Sequence, residues 1–252
     1  MKNIRRSLNS LLEYTMGATD GEIGAVKEFY FDDHSWTVRY IIIEAGNWLM
    51  GRKVLISTGA LLPFDWNKGI FPVKLTKEQI KNSPDIDTEK PVSREQEIKL
   101  MKHYLQNGNW GSGFYAGGAT QPLYYGLPDD KHVGVEKNAA ADTHLRSSST
   151  VTGYSIKATD GTIGVVKDFL LHPSTWAIDF LVVDTGDWLP GKKVLISPKW
   201  IKEVKWDDSV ITVKATMEQI KNCPEYNHGQ AFTDGDAMAI HNYYGEFVTH
   251  IE

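Results

Sequence analysis

The chain has 252 residues, 41% of them hydrophobic and 23% charged, with 27 basic and 32 acidic side chains and a formal net charge of −5. This is an ordinary globular composition, which excludes a disordered or fibrous chain, and the interspersed signs argue against a basic nucleic-acid face. A single cysteine, Cys223, excludes an intramolecular disulfide and a four-thiolate zinc site, and no apolar run reaches the roughly 18 residues of a membrane helix.

The first segments are readable because they occur twice. YTMGATDGEIGAVKEF at 14–29 returns as YSIKATDGTIGVVKDF at 154–169, an offset of 140. At that offset, 33 of the 100 positions in 5–104 match those in 145–244 without a gap, which makes this a duplicated domain rather than a solenoid unit. The expected boundaries are a first domain at 1–90, a helix and connector at 91–144, a second domain at 145–225, and a C-terminal helix and tail at 226–252.

Within each copy, Asp20-Gly21 (Asp160-Gly161) suits a type I′ hairpin turn, and residues 23–31 read as a strand in which Gly24 (Gly164) marks a bulge or a close approach. VRYIIIEA at 38–45 and IDFLVVDT at 178–185 are β-branched and apolar on both faces. Tyr40 and Ile42 lie on one face; Ile41 and Ile43 lie on the other, as do Leu181 and Val183 in the second copy. Something has to cover the outer face: a helix of the same domain, the other repeat, or another subunit. Strands follow at 53–57, 60–66 and 69–75, so six short strands per copy predict a small closed barrel. Thr76 with Gln79, and Thr216 with Gln219, have capping-box form and open a short helix that ends at Pro84 or Pro224. A second helix is expected from Ser93 to about Tyr104, with a counterpart from Thr233 to Tyr244. Residues 105–144, rich in glycine and aromatic residues, have no counterpart and read as a connector.

The ordered blocks ATDGxIGxVKxF, GxWLxGxKVLIS and TxEQIKNxP resemble the PRC-barrel family, and more closely its bacterial proteins with two such domains in tandem. The resemblance implies a mainly β fold of two six-stranded barrels, each followed by short helices. It also implies protein–protein binding, as in the cytoplasmic domain of the photosynthetic reaction-centre H subunit and the C-terminal domain of a ribosome maturation factor. The expectation is therefore a non-catalytic, cytoplasmic scaffold without cofactors that binds a protein partner, with self-association as a further expectation. A ribosome- or RNA-associated factor, and a small-ligand protein or enzyme using a pocket between the barrels, are the alternatives.

No Walker loop, HExxH, GxSxG, EF-hand loop or paired CxxC occurs. The eight histidines, His34, His103, His132, His144, His172, His228, His241 and His250, show no close metal-ligand spacing, and none recurs between copies. Asp20 and Asp160 recur as turn residues. Asp32-Asp33-His34 reads as a hairpin tip, since the second copy has His172-Pro173-Ser174 there. Lys53 and Lys193 recur at strand starts. Trp48 and Trp188 recur in a glycine-flanked loop, where core packing is one reading and an exposed tryptophan serving as an interface anchor is the other. These two and the strand residues Ile41, Ile43, Leu181 and Val183 are the partner-interface candidates.

Overall fold

The computed structural model describes residues 4–12, 14–84, 92, 94–106, 144–227 and 229–248. In chain order, the first elements are β1 (Arg6–Ser7), α1 (Leu8–Leu11), β2 (Thr15–Ala18), β3 (Gly21–Asp32), β4 (Thr37–Ala45), β5 (Lys53–Ser57), β6 (Ile70–Pro72), α2 (Lys77–Lys81) and α3 (Arg94–Gln106). After the connector, most of which lies outside the described residues, come β7 (Leu145–Ser147), α4 (Ser148–Val151), β8 (Ser155–Lys157), β9 (Thr162–Leu171), β10 (Ile178–Asp184) and β11 (Lys193–Ile196). The chain continues through β12 (Ile201–Lys205), β13 (Val210–Val213), α5 (Met217–Lys221) and α6 (Asp234–Val248). The fold is mainly β, and no described helix is long and apolar enough to cross a membrane.

The strands form two sheets of like order. One runs β5-β4-β3-β2-β6 with β7 beside β3; the other runs β11-β10-β9-β8-β13-β12 with β1 beside β9. Most neighbours are antiparallel, whereas β2 with β6 and β8 with β13 are parallel. Neither sheet closes on itself, which corrects the expectation of closed barrels. After β5 and β11 the chain makes a 3-10 turn, Thr58–Ala60 or Pro198–Trp200, and no ladder joins β5 to β6 or β11 to β12. The strand expected at 60–66 forms only in the second copy. There Glu203 and Val204 continue β12, where the first copy has Pro63 and Phe64 and keeps one bridge, Leu61 to Val73. Proline has no N–H to give to a ladder.

Each unit closes its core with its own second helix. Tyr40 Oη donates to Glu97 Oε1 of α3 at 3.1 Å, and Tyr104 Oη of α3 donates to the Leu55 carbonyl at 3.3 Å. In the other unit Phe180 replaces Tyr40 and Ala237 replaces Glu97, and the polar contact becomes an aromatic stack of Phe180, Trp200, His241 and Tyr244. The apolar outer strand face is thus covered from within each unit.

The compact units differ from the sequence boundaries. One comprises Leu11–Ser148; the other comprises Met1–Ser10 together with Ser149–Glu252. In the second, β1 pairs with β9, Ser7 opposite Leu170 and Arg6 opposite Leu171. In the first, β7 pairs with β3, Ser147 opposite Tyr30 and Arg146 opposite Phe31. Corrected for the offset of 140, these are the same register. The repeats exchange their leading strands: each sheet takes the short strand that precedes the other copy.

Candidate functional site

The recurring polar feature starts from a backbone irregularity. In β3 the pairing with β4 runs from Val26 opposite Ile43 to Glu28 opposite Ile42, so Lys27 is the extra residue of a β-bulge. In β9 the same shift, from Val166 opposite Val183 to Asp168 opposite Val182, makes Lys167 the extra residue. A bulge re-aims a side chain that regular alternation would place elsewhere. Glu44 faces Lys53 across β4 and β5, and Asp184 faces Lys193 across β10 and β11. Lys27 Nζ lies 2.8 Å from Glu44 Oε2, and Lys27 first, then Lys53, hold the Glu44 carboxyl below the usual carboxylate range. In the first unit two lysines thus flank a carboxylate, and in the second Lys167, Asp184 and Lys193 recur around one recess. Sequence reading found only Lys53 and Lys193, because a bulge leaves no signature in a period-2 pattern.

In the second unit this cluster rims a recess of about 260 Å³, lined by Asn9, Lys167, Asp168, Val182, Asp184, Lys193 and Tyr226. Asp168 is 5% exposed and is held in part by the exchanged segment. Ser7 Oγ donates to Oδ2, and Oδ1 accepts from the backbone N–H groups of Asn9 at 3.1 Å and Phe169 at 2.7 Å. Burial, and then the charge of Asp168, pushes the Tyr226 phenol up to about 12. Glu28 of the first unit likewise accepts from Ser147 Oγ.

Beside the cluster lies the GxWLxG loop. Trp48 is half-buried; its Nε1–H donates to the Ile23 carbonyl at 2.7 Å, and Lys77 Nζ sits 5.5 Å from its ring centroid. Trp188 is half-buried in the matching loop. The other interface candidates lie elsewhere: Ile41, Ile43, Leu181 and Val183 are each 0% exposed, packed in the cores. They present no surface to a partner, and with the outer face already covered, the reason for expecting self-association disappears.

The recurring turn aspartates also acquire a role that sequence reading missed. No type I′ turn forms, since neither Asp20 nor Asp160 has positive φ. Instead Asp20 Oδ1 accepts from the Lys77 N–H at 2.9 Å and Asp160 Oδ1 from the Met217 N–H at 2.8 Å, at the first residues of α2 and α5. A carboxylate there satisfies an orphan helix donor.

No family model matches the chain. A stretch of 92 residues is 32% identical to an uncharacterized protein of Deinococcus radiodurans; the match covers 36% of this chain and 32% of that protein, so the chain spans about a third of the length of this relative.

Proposed function

We propose that the chain is a non-catalytic, cytoplasmic docking protein built from two PRC-barrel-like units, and that each unit meets a protein partner through its lysine–carboxylate–lysine cluster and the adjoining tryptophan loop. The observation that carries this reading is recurrence. Two-thirds of the aligned positions differ, yet Lys27, Lys53 and Trp48 return as Lys167, Lys193 and Trp188, and Glu44 returns as Asp184. The bulge returns with them. Core packing accounts for the matching apolar residues but does not require matching lysines at an exposed bulge. A mixed-charge surface beside an aromatic anchor suits a partner of complementary charge pattern.

The test is affinity purification from the source organism with the wild type, the Lys27→Glu, Lys167→Glu variant and the Trp48→Ala, Trp188→Ala variant. A specific partner retained by the wild type should fall at least tenfold with either double variant. Altering a single unit should weaken capture less, since the remaining unit still binds but avidity is lost. Identical capture by all variants overturns the reading. The recess in the second unit favours one other reading, a small ligand bearing both acidic and hydrogen-bonding groups. Saturable binding abolished by Lys193→Ala but indifferent to Lys53→Ala would select it.

A further inference from the structure

The strand exchange has a chemical consequence at the β3–β4 hairpin. His34 lies at the hairpin tip and His144 immediately before β7, 110 positions later in the chain. Pairing of β7 with β3 brings their rings to a centroid separation of 4.3 Å at 61°. The Asp33 N–H donates to the His144 carbonyl at 2.9 Å, so the ladder itself fixes the backbones of both residues. Asp33 Oδ1 lies 3.3 Å from His34 Nδ1 and 3.6 Å from His144 Nδ1, and the three donor atoms all fall within 4.8 Å of one another. The other carboxylate oxygen, Oδ2, accepts from Arg146 Nε at 2.8 Å, which orients Oδ1 toward the imidazoles.

We propose that Asp33, His34 and His144 form a three-ligand site for a divalent transition metal of the zinc type. Donor atoms held about 2.05 Å from a tetrahedral zinc lie about 3.3 Å apart, close to the two donor separations observed here. Two imidazoles and one carboxylate are the ligand types that zinc, copper and nickel prefer over calcium or magnesium, and three protein ligands leave the fourth position open. Arg146 acts as an orienting outer partner of the carboxylate; its charge also weakens the site, so micromolar rather than tighter affinity is expected. The second copy has Pro173, Ser174 and Ile4 at the matching positions, so the site belongs to the first unit alone.

The experiment uses the full chain and zinc as the probe, in competition with a chromophoric chelator. Wild type should bind one zinc with micromolar affinity that is lost at least tenfold in His34→Ser and in His144→Ala. His34→Ser installs the residue that the other repeat carries at its own tip, and circular dichroism verifies folding of both variants. Zinc should raise the Tm of the wild type but not of a variant carrying both His34→Ser and His144→Ala, because a metal bound only by the native site stabilises the fold by mass action. Variants that hold zinc with wild-type stoichiometry and affinity overturn the proposal, as does a wild type that binds none below about 100 μM.

Discussion

Gly24 and Gly164 show how single residues set the sheet. A Cβ at either would overlap the carbonyl oxygen of Glu44 or Asp184 on the neighbouring strand. The sequence pattern already marked these glycines for a bulge or a close approach; the structure shows the close approach, and the bulge falls three residues later, at Lys27 and Lys167. Gly24→Ala or Gly164→Ala should therefore cost about 3 kcal/mol, typical of overpacking against backbone that cannot move aside. Urea denaturation would measure it; a change under 1 kcal/mol would show that the strands can separate locally.

At the scale of elements, the starts of α2 and α5 were legible to the residue, whereas each helix ends at Lys81 or Lys221, three residues before the proline expected to stop it. Thr76 and Thr216 each accept from the N–H three residues on, and Gln79 and Gln219 complete the reciprocal bond. Thr76→Ala should lower stability by about 1 kcal/mol. Helix α6 was also legible in position but not in what it touches. Its His241 sits against Phe180 and Trp200 and is held below its ordinary pKa of 6.5, by burial first and then by Lys199, with Arg5 adding to the effect and Asp179 opposing it. The fold thus prefers the neutral ring. Its contribution to stability is present above about pH 6.5 and is lost as pH falls through the depressed folded-state pKa, where the unfolded chain takes up the proton first. The urea midpoint of wild type should drop further between pH 7.5 and 5.5 than that of His241→Phe. Equal drops would assign the acid sensitivity to other groups.

For the whole molecule, the exchanged strands make a prediction opposite to the one sequence order suggests. Arg5 precedes the first copy, yet its side chain is 9% exposed and its guanidinium pairs with Asp179 at 2.8 Å and with Asp234, both in the second unit. Arg146 precedes the second copy, yet it pairs with Asp33 in the first unit. Arg5→Ala should destabilise the second unit by about 2 kcal/mol through lost charged hydrogen bonds. Amide exchange should quicken in β9 and β10, while β3 and β4 keep their protection; Arg146→Ala should do the reverse. If Arg5→Ala instead exposes β3, the strands are not exchanged.

The sequence by itself determined the duplication, the order of most strands, the capping boxes and the apolar cores, because these depend on local periodicity and on residues whose conformational demands are short-range. Only the tertiary structure decided which repeat receives each leading strand, since β1 and β7 carry the same Arg-Ser pair and fit either sheet in the same register. It alone placed Lys27 and Lys167 on bulges, tied Asp20 and Asp160 to helix starts, and joined His34 to His144. Each of these rests on partners far apart in the chain, and pairing at that distance is set by which sheet edge a strand meets, a choice that no window of sequence encodes.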